Sequence, residues 1–102
     1  MEWMGRAMPD LVAEKVLEGW GVPQSAWDGL LEGGGADQVR EIHDALRIIL
    51  PIGTANGWMM RSSNESMFGG QAPMQTLLES GGLVAIHRLI VGRLDAMGRT
   101  LL

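Results

Sequence analysis

Trp58-Met59-Met60-Arg61-Ser62-Ser63-Asn64-Glu65-Ser66-Met67-Phe68-Gly69-Gly70-Gln71-Ala72-Pro73-Met74-Gln75-Thr76-Leu77-Leu78-Glu79-Ser80-Gly81-Gly82-Leu83 is the stretch around which the chain is organised. Trp58 reads as the apolar end of one helix, and residues 61–66 as a polar loop. Pro73 opens a short helix, because the N–H that proline lacks would be unpaired at a first helical position anyway. Met74, Leu77 and Leu78 are its expected inward residues. Gly81 and Gly82 supply the stop. A long amphipathic helix then runs from about Leu83 to Met97. Leu83, Ile86, Ile90, Leu94 and Met97 fall on one face at helical spacing, with Arg88 and Asp95 outward. The tail from Gly98 to Leu102 opens with a helix breaker and ends in two leucines, so it is expected to leave the domain.

Upstream of this stretch the helical pattern continues. Asp10 is placed to cap a first helix whose buried face is Val12, Val16, Leu17 and Trp20, with Glu14 and Glu18 outside. Gly19 and Gly21 bracket Trp20 and end it. Pro23 opens a second short helix, Gln24 to Leu31, burying Trp27, Leu30 and Leu31. Gly33-Gly34-Gly35 follows as a flexible linker. Asp37 is the expected cap of a third helix reaching Leu50, where Pro51 stops it. Val39, Ile42, Leu46 and Ile49 in that helix are spaced 3, 4 and 3, a narrow seam suited to packing along another helix. Thr54 caps a fourth helix through Met60, which buries Trp58 and either Met59 or Met60. Residues 1–8 read as a loosely docked arm. No stretch alternates as a strand would. The expected fold is therefore all-α, a small domain of about six helices. Residues 1–35 form a degenerate helix-turn-helix-like part, since two short helices about a tight turn match its beginning. Residues 36–102 form the main helical module.

Composition narrows the function classes. A chain of 102 residues with 46% apolar residues is one domain or one domain and a tail. Domains of this size are marginally stable alone, so a homo-oligomer or a bound partner is expected. There are no cysteines, which excludes disulfides, thiolate zinc sites and cysteine nucleophiles. No apolar run approaches the ~20 residues of a membrane span, and the N-terminus lacks the apolar core of a signal peptide. A cytoplasmic location without membrane contact is expected. Residues 1–50 hold four bases against nine acids, net −5, whereas residues 51–102 hold four bases against three acids, net +1. An acidic first half suits a phosphate backbone poorly, because non-specific DNA affinity comes from cationic side chains.

No catalytic or metal-binding pattern emerges. His43 and His87 are the only imidazoles and lie on different helices without sulfur ligands, so both read as helix-surface residues. The three-glycine run lacks the Gly-Lys-Ser/Thr ending of a phosphate loop and follows no strand. Ser62, Ser63, Ser66 and Ser80 lie in no nucleophile elbow and have no local base. No cofactor is implied. Met59, Met60, Met67 and Met74 surround the loop, either filling a small core or offering an adaptable apolar patch. Phe68 reads as the loop's anchor, and Gly69 and Gly70 as positive-φ positions.

The order Trp58, Asn64, Phe68-x-Gly70-x-x-Pro73, Gly82 resembles the C-terminal toxin-binding domain of the ParS/MbcA/Xre antitoxin family. The likeness covers roughly residues 38–99. It implies a type II antitoxin that performs no chemistry and neutralises a RES-domain, NAD-consuming toxin by covering its active-site entrance. The partner contacts it implies are Trp58, Asn64, Phe68, Gly70 and Pro73, together with an arginine-bearing surface of Arg88, Arg93 and Arg99. The family commonly also represses its own promoter, so the alternative expectation is a DNA-binding regulator of the helix-turn-helix Xre type. Against that, only a few residues separate Leu31 from the next helix, too few for a recognition helix.

Overall fold

A computed structural model describes residues 10–50, 54–62 and 66–101, with side chains described throughout except at 56, 66 and 99–101. The expected readings of Pro51, Asn64 and the arm 1–8 lie outside the described residues.

The described chain is helical, with no strand among the described residues. Its elements are α1 (Leu11–Trp20), a 3₁₀ turn (Gln24–Ala26), α2 (Trp27–Leu31), α3 (Gly35–Ile49), α4 (Ala55–Trp58), a second 3₁₀ turn (Ser66–Phe68), α5 (Pro73–Leu77) and α6 (Gly82–Leu101).

The Asp10 carboxylate accepts the Ala13 N–H at 3.0 Å, capping α1. At the other end Gly21 takes φ 85°, its N–H reaches the Glu18 carbonyl, and the Val22 N–H reaches that of Leu17. This left-handed closure needs glycine. The buried face of α1 is Ala13, Val16, Leu17 and Trp20. Val12, expected inside, is exposed. Counting back from Trp20 at 100° per residue, Ala13 lies about 20° away and Val12 about 80°. The smaller side chain therefore faces the core. The Trp20 indole N–H is buried with no acceptor among the described residues.

Trp27, Leu30 and Leu31 are only half-buried, not core residues as expected. The Trp27 Nε1–H donates to the Val22 carbonyl at 3.0 Å and pins α2 to the end of α1. The glycine run is a built turn rather than a flexible linker. Gly33 and Gly34 have φ 54° and 86°, and a Cβ on Gly35 would collide with the Leu30 carbonyl. Helix α3 starts at Gly35 with Gly34 as its cap residue, so Asp37 falls inside the first turn rather than capping. There it pairs with Arg40, which also bridges to Asp10 at the start of α1.

Val39, Ile42, Ala45 and Leu46 are buried along α3, and Ile49 is half-buried. Facing them are Leu83, Ile86 and Ile90 of α6. These residues join the α1 face, Val22, Ala55, Met59, Phe68, Met74 and Leu77 in one hydrophobic cluster. Residues before and after position 35 thus share one core. His87 of α6 sits 2.6 Å from the Glu41 carboxylate of α3 and ties these two helices at their edge.

Two further expectations change. Leu78 is half-exposed, because α5 ends at Leu77 and the next residue turns off its inward face. Gly98 does not break the helix: α6 continues through it to Leu101, and this end runs on past the core as helix. Glycine in a helix interior costs about 1 kcal/mol and does not by itself end a helix. The inward stripe of α6 runs out, however. Leu94 is half-buried, and Asp95, Ala96, Met97 and Gly98 are exposed.

Candidate functional site

The Phe68–Pro73 segment is held by its own residues. Phe68 is buried, and its ring meets Trp58 edge-to-face, with centroids 5.9 Å apart and an interplanar angle of 77°. That arrangement sets the positive ring edge against the negative face. Gly69 and Gly70 take φ 58° and 83°, and the Gln71 N–H returns to the Phe68 carbonyl at 2.9 Å. Pro73 is buried at the first position of α5, and the Met74 N–H donates to the Met59 carbonyl at 2.9 Å. This bond fastens the start of α5 to the end of α4. Arg61 Nη2 donates to the Thr54 carbonyl at 3.0 Å and closes the same corner from outside.

A partner meeting this segment would touch the exposed Gly69, Gly70 and Gln71 and the side chain of Met67. Phe68 and Pro73 shape the loop from within, and Trp58 is half-buried. Of the four methionines near the loop, Met59 and Met74 fill the core while Met60 and Met67 are exposed. Core filling is therefore the role of Met59 and Met74 only.

Arg88 and Arg93 are both exposed on α6. Five residues apart, they leave the helix about 140° from each other, so they do not form one arginine face. The backbone at position 99 belongs to α6, one further helical stretch from the core.

A groove of about 490 Å³ lies between α2, the glycine turn, the start of α3 and the α5–α6 corner. Its apolar walls are Leu30, Leu77, Leu78, Leu83 and Val84, and Glu32 and Glu79 supply its charge. Among the described residues, Trp58, Phe68, Gly70, Pro73, Arg88 and Arg93, anticipated as partner contacts, do not line it. The sequence signal that marks it is the pair of glycine runs, 33–35 and 81–82, each just before a helix start. Both runs are places of close approach: Gly35 meets the Leu30 carbonyl, and Gly82 meets the Thr76 carbonyl. Two acids on an apolar groove favour a cationic or apolar group over a phosphate. No group of three or more His, Cys, Asp or Glu side chains arranged to hold a metal occurs among the described residues.

Fold and site together define a small all-α protein with a stapled loop and an acidic-rimmed groove. Comparison of the chain with protein-family models, with curated proteins and with solved structures finds no match. No described helix is long and apolar enough to cross a membrane.

Proposed function

We propose that the chain is a non-catalytic antitoxin of a type II toxin–antitoxin pair, which neutralises a RES-type, NAD-consuming toxin by covering its active-site entrance. The observation that carries this reading is the agreement between the family-like motif and one physical unit. Trp58, Phe68, Gly70 and Pro73 each have a distinct part in holding the described Phe68–Pro73 turn: ring packing, anchoring, a left-handed turn and a helix start. A loop fixed in this way loses little conformational entropy on binding, which is what a tight inhibitor requires. The exposed Met60 and Met67 give it an adaptable apolar rim.

The test is co-expression with the protein encoded by the neighbouring reading frame. The unaltered chain should co-purify with it. Met60→Glu combined with Met67→Glu should leave the helical circular dichroism unchanged and weaken the complex by about 2 kcal/mol or more, the scale of an interface hot spot. Retention of full binding by this variant would remove the loop rim from the contact.

The Xre-type DNA-binding reading gains less. The net −5 of residues 1–50 opposes a phosphate backbone, and only Glu32 to Gly34 separate α2 from α3. A gel shift with the gene's own upstream region at ~0.1 M salt, where the Debye length is about 10 Å, is expected to show no competitor-resistant complex. A tight specific shift would transfer the reading role to α3.

A further inference from the structure

We propose that the outward stripe of α6 is a self-association surface, on which two copies of the chain pair their α6 helices antiparallel. The first observation is the overhang. Helix α6 has twenty residues, but its burial ends near Ile90 and Leu94, and residues 95–98 are all exposed. Gly92 and Gly98 lie in this part. Each lowers helix stability by about 1 kcal/mol relative to alanine. Short helical turns away from a core are marginal in water, so burial against a second copy would add stability there.

The second observation is the pattern on a face of α6 centred about 130° from the core stripe. Val84, Arg88, Val91 and Asp95 are spaced 4, 3 and 4, a seam spacing. Val84 is 41% exposed, Arg88 and Asp95 are exposed, and Val91 is half-buried. The charges in this seam are self-complementary only in one orientation. Two parallel copies in register would set Arg88 against Arg88. Antiparallel copies related by a twofold axis between positions 91 and 92 set Arg88 against Asp95 of the partner subunit, and the reverse, giving two ion pairs. Charges at such positions fix orientation and register more than they fix strength. Gly92 falls at the axis, and a Cβ built there meets nothing within 4 Å, so the backbones can approach closely at the crossing.

The third observation concerns the groove. In this register position 99 of one copy falls opposite Val84 of the other. Val84 lines the groove that carries Glu79 and Glu32. The C-terminal end of α6 is thereby brought to an apolar groove with acidic charge. One symmetry operation thus buries the exposed end of α6, pairs both seam charges and meets the groove mouth. The interface is isologous and closes as a dimer.

Sedimentation velocity on the full chain over a concentration series tests the charges. The unaltered chain should dimerise. Arg88→Asp and Asp95→Arg should each raise the dissociation constant about tenfold, and the double variant R88D/D95R should return to within about threefold of the original. The absence of native cysteine allows the register to be read separately. Oxidised Val91→Cys should form a covalent dimer. Val84→Cys should not, because its partner copy lies about 22 Å away along the helix. A chain that stays monomeric throughout, a double variant no better than the single ones, or cross-linking at position 84 equal to that at 91 would each overturn the proposal. None of these readouts involves the toxin, so their outcome is independent of the proposed neutralising function.

Discussion

Replacing Gly82 with alanine should destabilise the protein by about 3 kcal/mol or more, at or beyond the upper end of overpacking costs. A Cβ at this position would collide with the Thr76 carbonyl, and behind it lies the Leu77 backbone. Neither obstacle is a side chain that can rotate away. The α5–α6 corner would have to open, and Leu77 and Leu83, both buried beside it, would lose their packing. Gly19→Ala is the control. It lies inside α1 and meets nothing within 4 Å, so the same substitution should stabilise by roughly 0.5–1 kcal/mol through helix propensity. Urea denaturation of the two variants should move the midpoint in opposite directions. Equal stability of Gly82→Ala and the unaltered chain would show that α6 does not start against α5 as described.

Leu46→Ala should cost about 2–5 kcal/mol, the range for truncating a leucine in a closed core. Leu46 is 1% exposed and belongs to the cluster that joins α3 to α1 and α6. A domain of this size has a stability of the same order, so the variant is expected to be largely unfolded or to melt far earlier. Thermal unfolding by circular dichroism measures it. A loss below 0.5 kcal/mol, the scale of a surface change, would mean that the α3 seam is not the core. Truncation at the N-terminus is a poor substitute for such point changes. Removing residues 1–32 would take away Ala13, Val16, Leu17, Trp20 and Val22, all core residues.

The helical character of the chain was legible because apolar spacing in α3 and α6 is strongly periodic. Val39, Ile42, Leu46, Leu83, Ile86 and Ile90 all sit where that spacing places them. The errors arise where size or composition was taken for direction. Val12 outranks Ala13 in hydropathy but sits on the wrong angle of α1. Leu78 follows the last residue of a five-residue helix, where the period no longer applies. Asp37 is a good capping residue three positions too late, because Gly34 already supplies the turn.

Glycine was the least legible residue. The run 33–35 has a linker's composition, yet two of its members take positive φ and the third presses on a carbonyl. Freedom and close approach both call for the missing side chain, and sequence does not distinguish them. Gly98 misled in the other direction, since a glycine with helical φ leaves α6 running. Phe68, Gly69 and Gly70 were readable because anchor and turn are adjacent in sequence. The groove was not, because its two halves lie about fifty residues apart.

The most direct test of the proposed neutralising role is cellular NAD during induction of the protein encoded by the neighbouring reading frame. With the chain co-expressed, the account predicts that NAD stays at its uninduced level and growth continues, and that the Met60→Glu/Met67→Glu variant, still folded, lets NAD fall. NAD depletion that proceeds equally with and without the chain would contradict the account.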